Sequence, residues 1–222
     1  MSDTTDCIEQ ITYPRVALRP LWFVNRDIKR FLSDLRTRGY KGLNLGAGRS
    51  RIPGLINCDL FDGSADLKVD ATDLSMFDDD SIDLIESHHM IEHLSFADTE
   101  KAFKEWHRVL RPRGILVITC PDITRLCVKW LKYSMLNRIF PCPKKMDYLV
   151  RMFVGSQKND GMFHKSVFDY KRLSRVLSRH GFAVEFSFAP FPQRPTPSML
   201  VIARKSKCDS YRKDTTTRDP QS

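Results

Sequence analysis

Seven short apolar runs, separated by turn residues and interleaved with helical patterns, constrain this chain more than any other feature. They span residues 42–45, 55–59, 67–69, 82–87, 115–120, 183–186 and 199–203. Each has the length of a strand. The clearest helical pattern between them covers residues 99–110 and sets Ala102, Phe103, Trp106 and Leu110 on one face, with Arg111-Pro112-Arg113-Gly114 closing it. Such alternation implies a mainly parallel sheet covered on both faces by helices. The last two runs are joined by the Pro-rich stretch 189–197, which is too short for a crossover helix, so they are expected to pair antiparallel. The expected fold class is therefore α/β: a doubly wound, seven-stranded, mainly parallel sheet with a C-terminal antiparallel strand.

A chain of 222 residues holds one sizeable core and little more. The expected organisation is an N-terminal extension over 1–24, one domain over 25–205, and a basic, disordered tail over 206–222. Within the domain, residues 25–38 form a helix before the first strand, with Ile28, Phe31, Leu32 and Leu35 on one face and Gly39 ending it. Two helical stretches within 124–162 read as an inserted lid. No run approaches the ~20 apolar residues of a membrane span, and the first ten residues are acidic where a secretory leader would be basic and apolar, so a cytoplasmic location is expected. The six cysteines show no C-x-x-C pair or zinc-finger spacing and are read as reduced thiols. Residues 1–100 carry 11 Lys and Arg against 18 Asp and Glu, whereas 101–222 carry 25 against 9, so the basic half suits an anionic partner.

In the stretch LNLGAGRS (43–50), Gly46 and Gly48 directly follow an apolar strand, where they permit a sharp turn and close approach of a ligand to the backbone. A simple strand-to-helix turn would use the same residues. Arg51 stands where a dinucleotide fingerprint has its next glycine, which counts against NAD or FAD. Asp59 follows as an acceptor for ribose hydroxyls, Asp70 with Ala71 and Thr72 as a partner for an adenine amino group, and Ser87 with His88 as a wall. Each acidic residue alone reads as a solvated loop end or helix cap. Their order at successive strand ends favours an adenosyl ligand across the carboxyl edge of the sheet.

The runs LNLGAGRSRIPGLINCDLF, DDDSIDLIESHHMIEHL and EWHRVLRPRGILVITCPD resemble the class I methyltransferases, and most of all small members associated with polysaccharide biosynthesis. The resemblance implies a Rossmann-like domain that uses S-adenosylmethionine (SAM). It also implies a cofactor site of Asn44, Gly46, Ala47, Gly48, Asp59, Asp70, Ala71 and His88. Asn44 departs from the acidic residue usual there, and Ser50 from a third glycine.

The motif His89-Met90-Ile91-Glu92-His93 is expected on a helix, where positions i, i+3 and i+4 share a face and bring His89, Glu92 and His93 together. One reading has these residues merely bonding neighbouring backbone. Another is a divalent metal site, similar to the E-x-x-E-H of some metal-dependent O-methyltransferases, with His164 as a further ligand. A third reading, an inverted zinc-peptidase motif, is disfavoured, since no separate peptidase core is left to surround it. Methyl transfer to oxygen needs in-line positioning and removal of a proton, for which His93, His164 and then His89 are the candidates.

Basic and aromatic residues interleave along the lid, from Lys129 and Trp130 to Arg151. They read as a solvated helix face or as a surface for an anionic acceptor. The leading expectation is O-methylation of a glycan or small hydroxylated metabolite. The alternatives are a nucleic-acid methyltransferase and a non-catalytic binding protein that keeps the fold.

Overall fold

The computed structural model describes residues 21–138, 141, 143–191 and 197–206. The extension over 1–20, most of the Pro-rich stretch and the tail beyond residue 206 lie outside the described residues.

Helix α1 (Leu21–Arg36) leads into β1 (Gly42–Leu45), β2 (Ile56–Asp59), β3 (Leu67–Lys68) and β4 (Ile82–His88). A single 3-10 turn, Ile91–His93, separates β4 from α2 (Phe96–Val109), which passes directly into β5 (Leu110–Pro121). Two helices follow in the segment expected as a lid, α3 (Ile123–Asn137) and α4 (Pro143–Val154). After it come a 3-10 turn (Asp160–Met162), α5 (Tyr170–Arg179), β6 (Phe182–Phe191) and β7 (Ser198–Lys205).

The seven strands form one sheet in the order β3-β2-β1-β4-β5-β7-β6. Strands β1 to β5 pair in parallel, and β7 runs antiparallel to both β5 and β6. This is the expected seven-stranded α/β architecture with its antiparallel C-terminal strand. Period-two alternation divides the core in two. Leu43, Leu45, Ile85, Leu116 and Val201 face α2 and α5 and pack with Phe103, Trp106 and Leu177. Leu84, Val117, Leu200 and Ile202 face α1 and meet Ile28, Leu32 and Leu35.

Three expectations need correction. First, α2 starts at Phe96, not Thr99, because the Ser95 hydroxyl accepts the Asp98 N–H and donates to the Asp98 carboxylate. Secondly, the 111–114 segment is not a closing turn but part of β5. Its pairing with β4 begins at Ile82 and Leu110, breaks register, and resumes at Leu84 and Ile115. Thirdly, no helix carries His89, Glu92 and His93 together, since only the last two lie in the 3-10 turn.

Candidate active site

The loop after β1 is built on bonds to β2. Gly46 and Ala47 both donate N–H to the Cys58 carbonyl, at 2.9 and 3.0 Å, and Gly48 donates to Asp59 Oδ2 at 2.8 Å. Gly46 has φ +71°, and a Cβ there would lie 2.2 Å from Met90 Cγ, so glycine both permits the turn and leaves room for Met90. Asp59 Oδ1 accepts the N–H groups of Phe61 and Asp62, each at 2.8 Å. One acceptor position remains on Oδ2. Asp59 thus braces the glycine loop as well as offering an oxygen at the sheet edge.

Asn44 has a different role from the one expected. It is buried, and its amide donates to Ser50 O at 3.1 Å and to Asn57 Oδ1 at 3.0 Å, which ties the start of the loop to β2. Asn57 in turn accepts the Ile52 N–H and donates to Asp66. Asp70 folds back on Thr72, accepting its N–H and hydroxyl at 2.8 Å each, while the Ala71 carbonyl accepts the Trp106 indole N–H at 2.9 Å. Asp70, Ala71 and Thr72 therefore shape the loop after β3, with the Asp70 carboxylate exposed.

His88 closes β4. One ring nitrogen lies 2.7 Å from Glu86 Oε2 and the other 3.1 Å from the Thr119 hydroxyl. Glu86, fully buried, also takes both hydrogen bonds of the Arg36 guanidinium, at 2.7 and 2.6 Å. Burial pushes the Glu86 carboxyl up, but the Arg36 and His88 bonds outweigh it and hold the group below its ordinary value. Arg36 and Glu86 were missed from sequence. The signal was a glutamate inside the apolar strand LIES, where a charge needs a partner, though nothing local names a residue fifty positions away.

His89 stands outside the turn at φ +54°, a left-handed conformation, with its N–H bonded to Thr119 O at 2.7 Å. Its Nδ1 lies 3.2 Å from Glu92 Oε1 and its Nε2 3.1 Å from the Ser198 hydroxyl. Both ring nitrogens are thereby engaged. Ser198 lies at the start of β7 and had no signal in sequence.

Glu92 is buried with Oε2 unpartnered. Burial raises its pKa most, but the His89 hydrogen bond and the charges of His89 and His93 hold it below the ordinary range. Its carbonyl accepts the N–H groups of Lys165 and Ser166, at 2.8 and 3.0 Å, and the Ser166 hydroxyl donates to Leu94 O at 2.7 Å. These bonds bring a segment some seventy residues away onto the turn and deliver His164. Gly155, at φ +82°, is needed there, because a Cβ would sit 2.0 Å from the Met162 carbonyl.

The His93 and His164 rings meet edge to face, with centroids 4.8 Å apart. His93 Nδ1 lies 3.0 Å from Phe163 O, and His164 Nδ1 3.0 Å from Met152 O. A carbonyl only accepts, so each Nδ1 carries a hydrogen, and in a neutral ring the lone pair is then left on Nε2. Ligand atoms of Glu92, His93 and His164 all lie within 4.8 Å of one another. Burial, above all, pushes the His164 pKa down and favours the neutral ring. A cavity of about 10 Å³, lined by Glu92, His164, Leu126 and Met152 among others, lies beside them with room for one water-sized guest. Two imidazoles and one unpartnered carboxylate oxygen are a donor set that fits a divalent cation.

The fold recurs in solved structures at low sequence identity. The 1,6-didemethyltoxoflavin-N1-methyltransferase of Burkholderia thailandensis, solved with 1,6-didemethyltoxoflavin and S-adenosylhomocysteine, superposes with TM-score 0.54 at 15% identity, covering 82% of this chain and 78% of that one. A SAM-dependent methyltransferase of Methanosarcina mazei gives 0.54 at 15%, covering 79% and 97%. One from Archaeoglobus fulgidus gives 0.52 at 15%, covering 83% and 94%. No curated protein matches the sequence. The seven-stranded α/β fold, with its antiparallel last strands, is the fold that these solved structures share. Residues 54–118 match the family model described as a methyltransferase domain. That stretch is similar to the family's domain, within a fold shared with these solved methyltransferases.

Proposed function

We propose that the chain is a SAM-dependent methyltransferase and that it methylates an oxygen of a hydroxylated acceptor, a small metabolite or a glycan. The observation that carries this reading is the cluster of His93, His164 and Glu92, two imidazoles close to a buried carboxylate whose Oε2 has no hydrogen-bond partner. In the reaction the acceptor oxygen bonds to the methyl carbon as the carbon–sulfur bond breaks, with the electron pair returning to sulfur. The acceptor proton leaves to an imidazole Nε2. Neutral His164 suits that step, since a protonated ring has no lone pair to give. A divalent cation held by Glu92, His93 and His164 would occupy those same imidazole lone pairs, so it would stand in for the histidine base, lowering the pKa of the acceptor hydroxyl so that its proton leaves to solvent. The loop of Gly46, Ala47 and Gly48 and the carboxylates of Asp59 and Asp70 cradle the adenosyl part of SAM, with His88 closing the edge after β4. The Burkholderia neighbour, whose structure contains a small heterocyclic acceptor, supports a small acceptor on this fold.

The test is transfer of labelled methyl from SAM to a panel of hydroxylated metabolites, sugar nucleotides and lipid-linked glycans, run with and without a chelator. His164→Ala is expected to lower transfer by about a hundredfold or more, the usual worth of a general base, with S-adenosylhomocysteine affinity unchanged. An acceptor methylated on nitrogen or carbon at full rate by that variant would refute the assignment.

A further inference from the structure

We infer that the outer face of the lid docks on an anionic membrane surface. Helix α3 turns Leu126 inward, buried, and sets Trp130 edge to face on Phe153 of α4. Its opposite side presents Val128, Leu131 and Met135 to solvent, at 62%, 62% and 72% exposure. The spacing of three and four residues lines these side chains in one stripe along the helix. Helix α4 adds Val150 and Val154, four apart and both exposed. A lid that only covered its own active site would turn such residues inward.

The charge around the stripe decides what meets it. Residues 123–158 contain eight Lys and Arg and a single acidic residue, Asp147. Lys132 lies on α3 beside the stripe and Arg138 caps the end of the helix, and both are exposed. An exposed aliphatic stripe bordered by cations is the pattern of a helix lying in the headgroup region, with its apolar side chains among the acyl chains and its lysines at lipid phosphates. Nucleic acid fits less well. Bases stack on aromatic rings, and the aromatic residues of α3, Trp130 and Tyr133, face inward and are half-buried. The inference does not depend on the methyl acceptor being a hydroxyl, and its failure would leave that reading untouched.

Flotation of the full chain with lipid vesicles tests it. The protein is expected to float with phosphatidylcholine vesicles containing phosphatidylglycerol, and not with phosphatidylcholine alone. The double variant Leu131→Ser, Met135→Ser and the double variant Lys132→Glu, Arg138→Glu should each weaken binding more than about tenfold. Thermal melts should match the parent, as all four side chains are exposed; were one double variant to melt early, Val128→Ser alone would carry the apolar arm. Failure to float with anionic vesicles would overturn the inference. So would undiminished binding by the apolar variant, or retention of single-stranded RNA instead of the vesicles.

Discussion

At the scale of single residues, Asp59 and Asn44 show how the loop after β1 is braced against β2. Asp59 holds Gly48, Phe61 and Asp62 by their N–H groups, so its removal both frees the glycine loop and deletes an acceptor at the sheet edge. Asp59→Ala is expected to lower S-adenosylhomocysteine affinity by at least about tenfold, since losing a charged acceptor costs ~1.5–3 kcal/mol, and calorimetric titration measures it. The cysteines give a second residue-level test. Burial first, then Asp66 and Asp59, pushes the Cys58 thiol up to about 11, and burial pushes Cys120 well up too, whereas Cys127 is exposed. With Cys7, Cys142 and Cys208 replaced by serine, a thiol reagent at mildly alkaline pH should label one site rapidly, Cys127. Legibility at this scale was mixed. The carboxylates at the strand ends were readable because strand ends are. The inward role of Asn44 was not, because it depends on Asn57, a neighbour that only β1–β2 pairing supplies.

At the scale of elements, caps and buried pairs set the boundaries. Ser95→Ala is expected to destabilise α2 by about 1 kcal/mol through loss of its N-cap, measured by denaturant titration. Arg36→Gln leaves Glu86 charged within the sheet and should cost about 3–5 kcal/mol. Adding Glu86→Gln should recover part of that, because the stranded charge goes with it. Helix α1 and α2 were legible from apolar spacing to within a few residues. The turn after β4 was not: a helical pattern over residues 89–93 exists in the letters, but the His89 N–H is held by Thr119 of β5, and that long-range bond puts the residue in the left-handed region. The histidine–carboxylate meeting survives by another route, through the bonds of Lys165 and Ser166 to Glu92.

At the scale of the whole molecule, the architecture was readable because seven apolar runs with helical intervals admit few windings. Strand β7, antiparallel at the heart of the C-terminal half, followed from a connection too short for a helix. The approach of His164 to His93 was only nameable as a candidate, since it is made by tertiary bonds across some seventy residues. Acid stability belongs to this scale. The native Glu86 carboxyl titrates below its ordinary value, so the stability it lends is complete above about pH 4.5 and fades as pH falls through the lower native value. Melting curves taken downward from neutral pH should steepen their loss in that acid range, and Glu86→Gln should flatten it.

The anchoring of His164 has a mechanical corollary. Its backbone N–H bonds Val154 O and its ring bonds Met152 O, both at the end of α4, while Glu92 stays with the turn beyond the sheet. Any swing that drew α4 outward would take one imidazole nitrogen away from Glu92 and His93. A cation bound by all three, as proposed, would therefore also tether α4 to the turn beyond the sheet.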